Sequence, residues 1–100
     1  MVIGRIVGTV VSTQKDSKLT SMKLFVVEQT DLKGKGENKF VVAVDSVGAG
    51  VGELVLYASG SSARQTEVTA NKPVDAVIMA IIDTIEIQGD IQYSKNQDAF

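Results

Sequence analysis

The sequence predicts an all-β domain, a small barrel or sandwich, from three observations. Apolar stretches recur at short intervals along the 100 residues, and each ends in Gly, Asn, Asp or Ser. Within these stretches side chains alternate with the period of two that a strand imposes. The longest of them is rich in Val and Ile, β-branched residues that lose rotamer freedom in a helix. A chain of this length is expected to form one domain, residues 1–100, burying roughly 60–70% of the surface its extended form exposes.

The first strand is expected from Val2 to about Thr13. It sets Ile3, Arg5, Val7, Thr9 and Val11 against Val2, Gly4, Ile6, Gly8 and Val10. Two glycines on one face predict a bend or a close backbone approach. A second strand spans Lys23 to Thr30, and the polar, Gly-bearing segment from Asp31 to Asn38 reads as a hairpin loop. The third strand, Lys39 to Asp45, leads into a glycine-spaced turn from Val47 to Gly52 and a fourth strand from Glu53 to Ala58. Gly60 to Gln65 reads as one short helical turn with a Ser cap, and Asn71-Lys72-Pro73 as a break. Val74 to Ile87 also fits a helical i, i+3, i+4, i+7 series. Its β-branched content and the alternation of Asp83 to Ile87 predict instead one long strand, starting after a turn at Val74 and Asp75. An extended tail covers 91–100.

Composition narrows the function classes. The formal net charge is −2 and no basic cluster stands out, so neither nucleic acid nor an anionic membrane is an expected partner. With no cysteine there is no disulfide or thiolate metal site. Without histidine the chain lacks the commonest general base and metal ligand. No cofactor is expected. The N-terminal residues lack the layout of a secretory signal. The longest apolar run, Ala76 to Ile82, falls far short of the roughly 20 residues that cross a bilayer. A cytoplasmic protein is the expectation.

One feature bears on function directly. Several strands are apolar on both faces: Phe25 and Val27 oppose Leu24 and Val26, Val41 and Ala43 oppose Val42 and Val44, and Ile78, Ala80 and Ile82 oppose Val77, Met79 and Ile81. A strand with one wet face alternates apolar and polar residues. So short a chain has little material to cover an outer apolar layer, and association with another subunit is the expected cover.

Three blocks of residues carry a resemblance to a known family. They are Gly8-Thr9-Val10-Val11-Ser12-Thr13-Gln14-Lys15 with Lys23-Leu24, then Val42 to Leu56 leading into Gly60-Ser61-Ser62-Ala63-Arg64-Gln65, and Pro73-Val74-Asp75-Ala76 through Ile85. In this order they resemble the vertex proteins of bacterial microcompartments: carboxysomes and the ethanolamine, propanediol and glycyl-radical compartments. The resemblance implies an OB-like five-stranded barrel, a homopentamer, and a place in the compartment shell beside hexameric shell proteins. It implies a structural role without catalysis. The subunit contact would be head-to-tail, joining two different patches. The alternative from another class is an OB-fold protein that binds single-stranded nucleic acid.

Gly48-x-Gly50-x-Gly52 lacks the spacing and the following helix of a dinucleotide fingerprint, so a tight turn is expected. Ser61, Ser62 and Arg64 suit a subunit interface better than a phosphate clamp. Gly48, Ala49, Gly50, Ser61, Ser62 and Arg64 are therefore the candidates for interface or pore. Asp45 and Asp83 lie among apolar neighbours and are expected to be structurally paired rather than an acid/base couple. Lys33-Gly34-Lys35-Gly36 reads as a solvated hairpin tip. Phe25, Phe40 and Tyr57 are expected in the core, leaving no stacking platform for single strands.

Overall fold

The computed structural model describes residues 1–12, 22–60 and 75–97. Seven strands follow in order: β1 Val2–Val10, β2 Leu24–Thr30, β3 Gly36–Asp45, β4 Leu54–Ser59, β5 Ala76–Ile81, β6 Thr84–Ile87 and β7 Asp90–Ser94. A 3-10 turn, Lys95–Gln97, closes the described chain. The first five strands form a closed barrel in the order β1-β2-β3-β5-β4, and β6 and β7 form a separate two-stranded sheet. The expected five-stranded OB-like barrel is present.

Alternation explains the barrel's interior. Ile6, Phe25, Val27, Ala43, Val55, Tyr57, Ala76 and Ile78 form one buried cluster, with Val2, Val41 and Ile81 packed against it. Fully burying each large aliphatic side chain is worth about 1.5–3 kcal/mol. The same register turns Ile3, Val26, Phe40, Val42 and Leu56 outward. Antiparallel pairing joins β1 to β2, β2 to β3, and both β1 and β5 to β4. A parallel contact of β3 with β5, Val44↔Val77 and Asp45↔Ile78, completes the barrel.

Several expectations need correction. β1 ends at Val10, and its register shifts between Ile6 and Gly8. The extra residue reverses the strand's faces. Gly4 therefore points inward and Gly8, opposite Val26, points outward. The two glycines do not share a face. β3 starts earlier than expected, at Gly36, and a second register shift passes through Asn38, whose φ is 60°.

The stretch read as one long strand is two. β5 ends at Ile81, Ile82 is buried, and β6 turns away to pair with β7. Ile82 donates its N–H to the Leu54 carbonyl at 2.9 Å, which holds the joint against β4. The expected helical turn lies, beyond Gly60, outside the described residues, as does the break at Asn71-Lys72-Pro73. The described helical turn is at Lys95–Gln97.

Gly4 is where a close approach is required. A Cβ there would sit 2.6 Å from Val27 Cγ1, 2.8 Å from the Tyr57 ring and 2.9 Å from the Glu28 carbonyl oxygen. Gly4→Ala should cost about 1–3 kcal/mol by overpacking. Urea denaturation should show a lower midpoint at unchanged slope. An unaltered midpoint would contradict the inward placement of Gly4.

Candidate functional site

Three surfaces are built on this barrel: the glycine turn after β3, the outer face of β3, and the C-terminal hairpin. The turn is organised by Asp45. Its carboxylate accepts backbone N–H bonds from Val47 at 3.1 Å, Gly48 at 3.0 Å and Ala49 at 3.2 Å. Gly48 and Gly52 adopt φ of 75° and 96°, which a β-carbon disfavours. Gly50 donates its N–H to Glu53 Oε1 at 2.7 Å. Gly52 donates to the Ile6 carbonyl at 2.8 Å, tying the turn to β1.

This turn holds three of the candidates. Gly48 is exposed, with no atom of the described residues within 4 Å of where a Cβ would be. Gly50 is half-buried. Ala49 is buried, and its methyl belongs to the barrel core. Ser61, Ser62 and Arg64 lie outside the described residues. Asp45 and Asp83 do separate jobs: Asp45 holds the turn, while Asp83 is exposed and its carbonyl accepts the Lys95 N–H at 2.8 Å. The apolar surroundings expected for Asp83 are absent because β5 ends before it.

The β2–β3 loop follows the same logic. Asp31 Oδ1 accepts the N–H groups of Lys33 at 2.8 Å and Lys35 at 2.9 Å. The bonds from Lys35 and then Lys33 hold its carboxyl below the ordinary carboxylate value. Gly34, at φ 83°, donates its N–H to the Asp31 carbonyl at 3.2 Å. These N–H groups are engaged by the chain's own carboxylate and carbonyl, and so do not form a phosphate cradle.

Sequence reasoning missed Arg5. Strand alternation points it outward, yet it is only 7% exposed. Its guanidinium donates to the Gly52 carbonyl at 2.9 Å and to the Gly34 carbonyl at 3.2 Å. A lone Arg in an apolar strand was the available signal, because a buried charge has to be bonded. Phe40 was also misjudged. It is 58% exposed, on the outer face, with Val42 beside it at 51%.

The C-terminal hairpin changes the account of the barrel's exterior. Tyr93, Ile82 and Leu54 form a buried cluster, with Ile3, Leu56 and Ile85 packed on it. The chain's own hairpin therefore covers the outer faces of β1 and β4 here. The expectation of an uncovered apolar exterior holds at Val42 and fails at Val44 and Val77, which are 2% and 0% exposed; the hairpin also covers Ile3, Leu54 and Leu56, while Phe40 stays bare. Lys95 fastens the hairpin: its ammonium lies 2.9 Å from Glu53 Oε2. The Lys95 hydrogen bond pulls the Glu53 carboxyl below its ordinary value, and the same bond raises Lys95. Among the described residues no group of acidic side chains is arranged to hold a metal ion. No described helix is long and apolar enough to cross a membrane.

Comparison with known proteins places this architecture. Residues 1–83 match the family described as ethanolamine utilisation protein EutN/carboxysome. The chain belongs to the EutN/CcmL family. The carboxysome shell vertex protein CcmL of Nostoc sp. is 48% identical, over 95% of both chains. Its solved structure superposes with a TM-score of 0.90, covering 95% of this chain and 100% of that one. The microcompartment shell vertex protein EutN of Salmonella typhimurium is 38% identical over 95% of this chain and 96% of its own. GrpN of Rhodospirillum rubrum, solved as a pentameric microcompartment shell protein, is 42% identical with a TM-score of 0.79, covering 87% of this chain and 99% of that one.

The Glu53–Lys95 pair makes a pH-dependent prediction. A lowered Glu53 value means its contribution is whole above the ordinary 4.5 and fades as pH falls through the lowered folded value. A raised Lys95 value means its contribution is whole below 10.5 and fades as pH rises through the raised one. At pH 7 Glu53→Gln should speed amide exchange across β6 and β7 about two- to fivefold, as befits an exposed pair. The difference should vanish in acid. Equal exchange at pH 7 would show that the latch holds nothing.

Proposed function

We propose that this chain is a non-catalytic shell protein whose five copies form a ring at the vertices of a polyhedral bacterial microcompartment, bordered by hexameric shell proteins. The observation that carries this reading is near-full-length likeness to vertex proteins, one of them solved as a pentamer. A closed shell of six-sided tiles needs five-sided units where it bends, and geometry rather than chemistry is what such a unit supplies.

The outer face of the barrel supports the reading. Gly8, Val26 and Val42 stand side by side across β1, β2 and β3, with Phe40 two residues along. Among the described residues nothing lies within 4 Å of a Cβ built on Gly8, so their packing gives no reason for a glycine there. A glycine in a strand commonly marks the approach of another backbone. Each ring contact would take about 800 Å² from each partner. Two such contacts are about a quarter of the 6207 Å² that the subunit exposes.

The candidates Gly48, Gly50, Ser61, Ser62 and Arg64 are assigned to the ring's contacts or its axial opening, with Ala49 anchoring the turn from inside. Support comes from Gly48, exposed on a turn that Asp45 holds rigid. Native mass spectrometry at micromolar subunit concentration should give a five-subunit species. Val42→Asp should weaken assembly at least thirtyfold, because it places an unpaired carboxylate in the contact. The folded subunit should stay within about 0.5 kcal/mol of the parent, as surface changes usually do. A parent chain that stays monomeric would defeat the shell reading.

A further inference from the structure

The tip of the β6–β7 hairpin and the mouth of the barrel are each incomplete, and they complement one another. At the tip, Ile87 and Ile91 are 45% and 63% exposed. Pairing of Glu86 with Ile91 and of Ile87 with Asp90 puts the two isoleucines on opposite faces. Glu86 and Asp90 are exposed carboxylates on the same few residues. The turn between the strands is fixed by Gln88 at φ 51° and Gly89 at φ 86°. The tip is thus a short apolar wedge with acidic shoulders.

The mouth lies where Val2, Val41 and Tyr57 reach the end of the barrel core. It is a recess of about 200 Å³, lined also by Phe40, Gln29, Lys39 and Ser59. Among the described residues Lys39 is the one charged group in its lining. That volume is below the roughly 300 Å³ at which small-molecule sites begin, and suits one branched side chain better than a metabolite. Neither Ile87 nor Ile91 lines the mouth of its own subunit, and both remain exposed. Among the described residues none fills the recess.

Resting on the ring reading above, we propose that the hairpin tip of each copy seats in the barrel mouth of the next. An isoleucine would pack against Val2, Val41 and Tyr57, and Asp90 would pair with Lys39. The occupant is a second copy of this chain. Apolar wedge meets apolar recess, and a cationic rim meets acidic shoulders. Tip and mouth are different patches, so the contact is head-to-tail and propagates from copy to copy until the rotation closes a ring. Phe40, on the rim of the mouth, also belongs to the outer β3 strip, which makes the two surfaces continuous.

The test is a charge-reversal cycle on the full chain, read by sedimentation velocity as the concentration at which the ring dissociates. Lys39→Glu and Asp90→Lys should each raise that concentration about tenfold or more. The double variant should recover most of the loss, because the pair is restored with its signs exchanged. Ile91→Ser and Ile87→Ser test the wedge, and at least one should weaken the ring comparably. Circular dichroism should show all variants folded, since each site is exposed. Additive losses in the double variant, or a ring unmoved by every one of these changes, would overturn the tip-in-mouth contact and leave the pentamer standing. A parent chain that forms no ring would overturn both. Filling of the mouth by a small apolar solute, seen as solute protection of Tyr57 in the assembled parent, would also overturn it.

Discussion

A buried guanidinium is the constraint on which the outside of this barrel depends. Arg5 sits on the outward face of β1, yet two loops close over it. Its hydrogen bonds to the Gly52 and Gly34 carbonyls span three segments far apart in sequence. Taking such a charge out of water is costly unless its donors are used. The loops are therefore obliged to stay where they are. Gly34 fits the arrangement because a Cβ there would lie 2.8 Å from the guanidinium. One charged side chain thus sets the positions of the glycine turn and the β2–β3 loop together.

Both loops also resemble anion-binding loops on paper and do not act as such. Glycine-rich turns expose successive N–H groups, which is what a phosphate needs. Here each turn carries its own anion. Asp45 occupies the first and Asp31 the second, so the N–H groups hold a shape. That outcome accords with a molecule whose work is to present rigid surfaces. Glu53 extends the principle, since one oxygen accepts from Gly50 and the other meets Lys95. Turn and tail are coupled through a single carboxylate.

Much of this was legible in the residues. Period-two alternation located β2, β3 and β4 to within a few positions, because inward residues there are uniformly apolar. It failed where backbone geometry departs from strict pleating. The extra residue between Ile6 and Gly8 leaves no trace in composition, so Gly8 was placed on the wrong face. The joint at Ile82 was hidden for a similar reason: the β-branched run from Ala76 to Ile82 passes straight into the alternation of Asp83 to Ile87 while the partners change from β4 to β7. The outer position of Phe40 was illegible because alternation says that faces differ, not which face is covered. That choice is made by the β6–β7 hairpin, and nothing in the alternation of β6 says which barrel strands it will lie against. Of the candidate residues, the turn glycines could be read from spacing, while Arg5 could be inferred only from the cost of burying it.

The seam between β3 and β5 has a consequence for how the barrel comes together. β1, β2 and β3 follow one another as neighbours, so their ladders form between segments close along the chain. The seam consists of two residue pairs, Val44↔Val77 and Asp45↔Ile78, and links strands with β4 between them in sequence. Without those two pairs β3 would keep a free edge and the barrel would be an open sheet, so a very short ladder decides whether the molecule is a cylinder.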